Sequence, residues 1–331
     1  MINSSALHNQ IIRFLSAALI STTLLTCFPA ANSALAVSAS AAATAAHKVP
    51  QQLETFTKQT IEDLAQHIPF NSWQDADVVY TPLGPGTHSW LVTLKDDKKP
   101  LGYIIITSDD HGGYILSEYG IGSELPYSLA PLKNTLASTV ILQENMQKKQ
   151  DKSSTLPKGS NIKALYSSVA PYWKITLKDK KPIYVHAVTY EIIPDPPSTK
   201  APLAPMKDNA LSLNLTSGKN TWSSGTVITT KADQDPYQNL MWLSKKALPI
   251  RTEKDLVSHL PAGSQTSLVY TADKQNAAYG APFHVTGWQR WTHRDKPNAE
   301  VIYVTVPQRN TDLIRFLPAN HLIGPGKFRE K

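Results

Sequence analysis

The sequence contains a single cysteine, Cys27, among its 331 residues. Cys27 lies in an apolar N-terminal stretch, so a chain that has lost this stretch contains no cysteine. Such a chain cannot form a disulfide and has no thiol nucleophile. No later apolar run is long enough to span a bilayer. These absences are typical of an exported protein that folds without an oxidant.

Recognisable catalytic motifs are also missing. The sequence has no Gly-x-Ser-x-Gly elbow, no His-Glu-x-x-His, no P-loop and no dinucleotide fingerprint. Its ten histidines do not recur at metal-ligand spacing, and the lysines are spread through turns rather than along one helix face. We therefore predict no cofactor, no metal and no nucleic-acid partner, and the sequence favours a protein that is not an enzyme.

The N-terminus has the pattern of an export signal. Arg13 is the only charged residue among the first 36, and the apolar stretch 14–28 follows it. The small residues of "ALA" at 34–36 are what a signal peptidase cleaves after. We predict a signal peptide over 1–36, a mature chain beginning at Val37, and a secreted or cell-surface protein. A retained membrane anchor is the alternative.

Cys27 permits a second interpretation of the same segment. The sequence "LLTC" at 24–27 resembles the lipobox of bacterial lipoproteins, in which the cysteine is lipidated and becomes the first residue. Thr26 departs from the Gly, Ala or Ser that usually precedes that cysteine. Lipidation of Cys27 is therefore a second hypothesis for how the chain is attached to the cell.

The chain is basic, with a formal net charge of +7, and loss of residues 1–36 leaves about +6. A basic exported chain is attracted to anionic surfaces such as cell wall polymers or phospholipid headgroups. The other interpretation is that the charge serves solubility alone.

A short repeat indicates how the fold is built. "WLVTLKDDKKPLGYIIIT" at 90–107 returns as "WKITLKDKKPIYVHAVT" at 173–189. Each copy alternates apolar and polar residues on both sides of a polar loop, which predicts two antiparallel hairpins. The match favours an internal duplication, or two equivalent hairpins of one sheet; independent convergence is the alternative.

The order of these patterns predicts an α+β fold of antiparallel sheets with a few packed helices. We expect a low-complexity leader over 37–47, an α+β domain over 48–193 that holds both hairpins, a proline-rich linker over 194–206, and a C-terminal α+β domain over 207–331. Five prolines in "PDPPSTKAPLAP" prevent a helix or a central strand there.

Helix signals are clear at a few positions. Residues at helical spacing predict an amphipathic helix that ends at Pro69; they are Leu53, Phe56, Ile61, Leu64 and Ile68. Asp235 followed by Pro236 predicts the start of a helix that carries Leu240, Leu243 and Leu248. Thr252 with Asp255 predicts a helix cap.

The segment "GYIIITSDDHGGYILSEYGIGSELPYS" at 102–128 resembles the propeptide-type module of secreted bacterial cysteine peptidases, the streptopain-like and C39-like classes. The resemblance covers 70–80 residues and is one of residue types. It implies a module that occupies a peptidase cleft by strand-like pairing. We therefore expect contacts with a secreted peptidase or another extended peptide through Tyr114, Tyr119 and Tyr127.

The C-terminal half carries a second resemblance. "HVTGW" at 284–288 is similar to the strand that supplies the catalytic histidine in C39-like peptidases. Such an enzyme requires a thiolate, but Ser223 of "TWSSG" stands where the cysteine is expected, and the spacing to His284 is short for the family. The resemblance thus leaves a degenerate or weakly active hydrolase that uses Ser223 and His284 as one alternative.

Three functions remain open on the sequence. The leading one is an exported, non-catalytic binding or inhibitor-like protein of the bacterial envelope or medium. The second is the hydrolase just described. The third is a wall-associated structural protein that its basic charge holds on anionic polymers.

Overall fold

The computed structural model describes residues 48–84, 88–109, 112–138, 160–167, 169–194, 221–231 and 235–331. These residues all belong to one compact unit, Ser40–Lys331. The signal and leader predictions, the lipidation of Cys27 and most of the proline-rich linker fall on residues outside the described ranges. No helix in the described part of the chain is long and apolar enough to cross a membrane.

The described helices and strands follow one another in an α+β order. The helices are α1 Gln51–Leu64, α2 Leu129–Ser138, α3 Glu253–Ser258 and α4 Asn276–Tyr279. The strands are β1 Asp77–Leu83, β2 Ser89–Asp96, β3 Lys99–Ser108, β4 Tyr114–Ile121, β5 Asn161–Ser167, β6 Ala170–Thr176, β7 Ile183–His186, β8 Ile192–Ile193, β9 Trp222–Thr229, β10 Leu268–Thr271, β11 Phe283–Val285, β12 Gly287–His293, β13 Glu300–Pro307, β14 Ile314–Pro318 and β15 Lys327–Glu330.

Three antiparallel sheets contain these strands, which confirms the predicted α+β class. Sheet 1 has eight strands in the order β1-β2-β3-β4-β14-β13-β12-β9. Sheet 2 has the order β5-β6-β7-β8, and sheet 3 the order β11-β10-β15. Sheet 1 is the centre of the fold, because α1 covers one of its faces while sheets 2 and 3 cover the other.

Helix α1 packs as the apolar spacing predicts. Leu53, Phe56, Ile61 and Leu64 are buried against sheet 1 in a cluster that includes Val92 and Ile104. The helix ends at Leu64, however, and Ile68 is 77% exposed. The prediction that Ile68 belongs to the apolar face was therefore wrong, because the chain leaves the helix before reaching that position.

Sheet 1 joins the two expected domains. Strands β1–β4 precede residues 194–206 and β9, β12, β13 and β14 follow them, yet all lie in this one sheet. The junction is made where Phe316 of β14 pairs with Tyr119 of β4. The prediction of two separate domains was wrong in this respect, because neither half could bury its part of the shared sheet alone.

Helix α1 ties the halves together a second time. The Asp63 carboxylate accepts a hydrogen bond from Arg294 Nη2 at 2.8 Å, and the Asp63 carbonyl accepts one from Ser224 Oγ at 2.9 Å. The Ser224 carbonyl lies 2.9 Å from His67 Nε2. The N-terminal helix is thus fastened to β9, at the opposite end of sheet 1 from β1.

Both repeated segments form hairpins, but in different sheets. The first is β2–β3 in sheet 1, where Asp96 pairs with Lys99 and leaves a two-residue turn. The second is β6–β7 in sheet 2, where strand pairing stops at Ile175 and Ile183. Because the second copy is one residue shorter, it cannot close a two-residue turn in the same register. The idea that both hairpins share one sheet was wrong.

Candidate functional site

Two of the three tyrosines expected to contact a partner are core residues. Tyr114 is buried and packs on Phe56, with ring centroids 6.1 Å apart. Tyr119 is fully buried and stacks on Phe316 at 4.8 Å. Burial also raises the pKa of Tyr119 well above its ordinary value. The prediction of a contact surface at Tyr114 and Tyr119 was wrong, because β4 is a central strand with neighbours on both edges.

The Tyr119 hydroxyl links three strands of sheet 1. It donates to Gln289 Oε1 at 2.7 Å and accepts from Trp291 Nε1 at 3.2 Å. Gln289 Nε2 in turn donates to the Gly225 carbonyl at 2.7 Å. A buried polar network with every member bonded stabilises one register of its strands, so this tyrosine has a structural role.

Tyr127 is the third predicted contact residue, and it joins segments within the chain. Its hydroxyl donates to the Leu165 carbonyl at 2.7 Å, and its backbone N–H donates to the Ala187 carbonyl at 3.0 Å. Its ring meets Trp173 edge-on at 5.4 Å. A partner could not use Tyr127 without breaking these contacts, so this tyrosine serves the packing of the chain on itself.

Ser223 and His284 do not form a catalytic pair. Ser223 lies in β9 and pairs with Thr292, near the end of β12. His284 is fully buried in β11 of sheet 3, before β12 begins at Gly287. The five steps along β12 from Gly287 to Thr292, roughly 17 Å at about 3.4 Å per residue, separate the two positions. The placement of Ser223 and His284 therefore gives no support to the hydrolase alternative.

The most extensive buried polar cluster joins sheet 1 to sheet 2. Glu118 of β4 and Arg315 of β14 are fully buried, with Arg315 Nη2 donating to Glu118 Oε2 at 3.0 Å. Tyr103 donates to Glu118 Oε1 at 2.7 Å and Tyr166 donates to Oε2 at 3.1 Å. The carboxylate thus receives donors from β3, β14 and β5.

The remaining contacts of this cluster complete its hydrogen bonding. Arg315 Nη2 also donates to the Val169 carbonyl at 3.1 Å, and the Val169 N–H donates to the Tyr166 hydroxyl at 3.2 Å. Val169 has a φ of 58°, which is a strained conformation for a β-branched residue. Two bonded backbone groups hold Val169 there, so the strain is a consequence of anchoring this loop to Arg315.

The electrostatics of the cluster do not resemble those of a catalytic acid or base. Burial by itself would lower the pKa of Arg315, but the Glu118 carboxylate raises it above its ordinary value. Burial, and next the Glu118 charge, raises the pKa of Tyr103 well above the usual range. Arg315 and Tyr103 are both fully buried and bonded to Glu118, which indicates a structural role for the cluster.

Glu253 is a partly buried carboxyl outside this cluster, and its pKa is shifted strongly. Burial raises its pKa to about 7, although hydrogen bonds from the backbone of Ile302 and Asn320 oppose the shift. The Ile302 N–H donates to Glu253 Oε1 at 3.3 Å. Strand β14 pairs with β13 and ends at Pro318, opposite Tyr303. Glu253 accepts the Ile302 N–H just beyond this end of the pairing, so its role is structural.

Glu253 also begins α3, where the predicted cap is confirmed. Thr252 Oγ1 accepts from the Asp255 N–H at 3.1 Å, and Asp255 Oδ2 accepts from the Thr252 N–H at 2.9 Å. This reciprocal pair is a capping box.

Among the described residues, a cluster of exposed apolar side chains lies close together in sequence. We call it the 237–246 surface: Tyr237, Leu240, Met241, Leu243, Lys245 and Lys246. The first four are 49%, 51%, 66% and 61% exposed, and both lysines are exposed. Isolated exposed leucines are ordinary on a protein, but several within one turn make this a candidate interaction surface.

The backbone below this surface is firmly held. The Trp242 ring is buried, and its Nε1 donates to the Pro236 carbonyl at 2.9 Å. Asn239 Oδ1 accepts from the Met241 N–H at 2.9 Å, and Ser244 Oγ donates to the Met241 carbonyl at 2.8 Å. The turn therefore presents its apolar side chains outward and cannot turn them inward while Trp242 stays in place.

The structure of this turn differs from the helix expected after Asp235 and Pro236. A short 3₁₀ helix covers Leu240–Ser244, and Leu240 and Leu243 point to solvent rather than into a core. The sequence signal was the run "LMWLSKK", in which three apolar residues around a tryptophan meet two lysines. Helical spacing alone did not distinguish a buried face from an exposed one.

The rim of the 237–246 surface is mixed in charge, with cations in the majority. The Arg309 guanidinium lies 5.5 Å from the Tyr237 ring centroid and pairs with Asp235 at 3.2 Å. Arg329 Nε donates to the Lys245 carbonyl at 3.2 Å. Glu191 also acts on Tyr237 electrostatically. Lys245 and Lys246 follow the apolar turn directly.

Among the residues that the structure describes, no group of three or more His, Cys, Asp and Glu could hold a metal ion. The 237–246 surface combines exposed apolar side chains at the turn with lysines at its rim. No family model, no curated protein and no solved structure matches this chain.

Proposed function

We propose that this chain is exported and acts as a non-catalytic binding protein that docks on the cell envelope through the 237–246 surface. The export signal over 1–36 motivates the location. The exposed apolar turn, held rigid by Trp242, is the observation that carries the proposal. The docking site thus lies in the C-terminal half, not at the tyrosines of β4.

The exposed apolar side chains of the turn are unfavourable in water. Burying apolar surface stabilises a complex by about 25 cal/mol per Å², so an occupant that covers Leu240, Met241 and Leu243 is stabilised by each of them. The turn is preorganised, so docking does not have to order its backbone first. A rigid apolar projection with lysines beside it suits attachment better than turnover.

A second candidate keeps the propeptide-like interpretation but relocates its contact. Strand β1 is an edge of sheet 1, and its residues alternate between exposed and partly covered. An extended peptide from a secreted peptidase can pair with such an edge by adding a strand. Pro82 lies within β1 and has no N–H, which shortens the edge available for pairing.

The two candidates predict different variants. In host cells that export the tagged chain, Leu240→Ser/Met241→Ser/Leu243→Ser should shift it from the envelope fraction to the medium. Leu129→Ser is the matched control, because Leu129 is another exposed leucine, 46% exposed and outside the surface. Equal envelope retention of the triple variant and wild type would refute docking through this surface.

The strand-addition candidate has its own assay. Purified chain is tested as an inhibitor of secreted cysteine peptidases, with Val79→Lys in β1 as the variant, because a lysine at this exposed position of an edge strand disfavours the addition of another strand. Inhibition that Val79→Lys abolishes would favour the peptidase partner. Inhibition that the triple variant abolishes instead would assign peptidase binding to the 237–246 surface.

A further inference from the structure

We infer that the occupant of the 237–246 surface is an anionic lipid bilayer, into whose interface the turn at Leu240–Ser244 inserts. This inference rests on the proposed function, since it names the partner of the same surface. A bilayer interface offers an apolar layer directly beneath an anionic one. The turn presents the complementary pair, with apolar tips and adjacent lysines.

The shape of the surface favours a bilayer over a folded protein partner. The exposed apolar side chains sit on a single 3₁₀ turn, Leu240–Ser244, rather than across a broad face. A stable protein interface buries about 800 Å² on each partner, which one turn does not provide. A bilayer needs no matching pocket, because lipid tails adjust around a small projection.

Tyr237 lies where an aromatic membrane-interface anchor would be expected. Tyr237 is half exposed beside the apolar tips, and Arg309 lies against its ring at 5.5 Å. Tyrosine is favoured where one end of a ring is apolar and the other wet. Trp242 stays buried and bonded to the Pro236 carbonyl, so it fixes the height at which Leu240 and Leu243 project.

The charges around the turn are mostly positive, which favours an anionic bilayer over a neutral one. Lys245 and Lys246 follow the turn, and Arg329 lies against the Lys245 carbonyl. The acidic groups that act on this surface include Asp235, which pairs with Arg309, and Glu191, while Lys245 Nζ donates to the Lys331 carbonyl at 2.9 Å. Cationic side chains next to an apolar projection strengthen binding to anionic lipid and not to neutral lipid.

The test is cosedimentation of the purified exported chain with vesicles. One set contains phosphatidylglycerol and phosphatidylcholine at a ratio of about 3:7, and the other phosphatidylcholine alone. We expect binding to the anionic vesicles that is at least tenfold tighter than to the neutral ones and that weakens as salt rises from 0.1 to 0.5 M, as screening of a surface attraction requires.

The variants separate the two contributions. Leu240→Ser/Met241→Ser/Leu243→Ser should weaken vesicle binding at least tenfold, while Leu129→Ser binds as wild type. Lys245→Gln/Lys246→Gln should reduce the preference for anionic lipid and flatten the salt dependence. Circular dichroism and the melting temperature verify that each variant is folded; all six positions are exposed, so little change is expected.

Two outcomes overturn the inference. If no vesicles are bound, yet the triple variant is still released from the envelope in cells, the surface docks on something other than lipid and only the inference fails. If binding is seen with purified anionic wall polymer, depends on Lys245 and Lys246, and ignores the triple variant, the surface is an electrostatic polymer site. If retention in cells also ignores the triple variant, the proposed function fails with it.

Discussion

Glu118 and Arg315 stand 197 positions apart in the sequence, yet Arg315 Nη2 lies 3.0 Å from Glu118 Oε2 in the fully buried interior. Their strands, β4 and β14, are neighbours at the junction between the two halves of sheet 1. Two hydroxyls and the Val169 carbonyl complete their hydrogen bonding, so the pair fastens the sheet at this junction and also fastens sheet 2 to it.

Removing one member of this pair should destabilise the protein strongly. Arg315→Leu leaves the Glu118 carboxylate buried without its countercharge, a change that costs about 3–5 kcal/mol. The double variant Glu118→Gln/Arg315→Leu should lose less stability than the sum of the losses of the two single variants, because it leaves no charge buried at either position. Urea unfolding of all four proteins measures the coupling. Additive losses would mean that the two residues do not act as a pair.

The two tryptophans that begin the repeated segments should differ in their effect on stability. Trp173 is buried between Tyr127 and the rest of its cluster, whereas Trp90 is only partly buried. Trp173→Ala should therefore cost about 3–5 kcal/mol and Trp90→Ala distinctly less, because a partly exposed ring leaves a smaller cavity. Thermal and urea unfolding compare them. Equal losses would contradict the structural difference between the two hairpins.

The raised pKa of Glu253 makes its contribution to stability depend on pH. The folded pKa is about 7 against an ordinary value of 4.5, so the folded state binds the proton more tightly and loses stability as pH rises from about 4.5 to 7. Glu253→Gln keeps an acceptor for the Ile302 N–H and does not ionise. It should be more stable than wild type at pH 8, by up to about 3 kcal/mol, and close to wild type at pH 4.5.

The difference in unfolding free energy between wild type and Glu253→Gln separates the effect of Glu253 from that of other groups that titrate. His321, for example, has a pKa lowered to about 4 by burial, so its contribution is lost as pH falls from 6.5 toward 4. That change is common to both proteins and cancels in the comparison. A free energy difference that does not vary between pH 4.5 and 8 would show that the Glu253 carboxyl is not buried as described.

A cut in the proline-rich segment should not separate the two halves of the chain. Sheet 1 takes β1–β4 from one side and four strands from the other, and Arg294 binds Asp63 across the division. We expect a protein with a specific protease site inserted between residues 200 and 201 to remain one particle on gel filtration after cleavage. Two bands should appear only under denaturing conditions. Independent elution of a folded 48–193 fragment would support the prediction of two separate domains.

Local sequence was sufficient for several elements. The spacing of Leu53, Phe56, Ile61 and Leu64 placed α1 correctly, and Thr252 with Asp255 identified a cap that consists of contacts three residues apart. Both repeated segments form the predicted hairpins. In each case the interactions that decide the structure lie within a few residues, where periodicity and turn chemistry act directly.

Contacts between segments that are far apart in the sequence were decided only by the tertiary structure. The pattern of β4 was compatible with an aromatic edge strand, but pairing with β14 places Tyr119 in the core. The same apolar spacing at Leu240 and Leu243 permitted a buried helix, but anchoring of Trp242 turns both leucines outward. Glu118 and Arg315 carry no local sign of each other, because an ion pair depends on proximity in space and not on position along the chain.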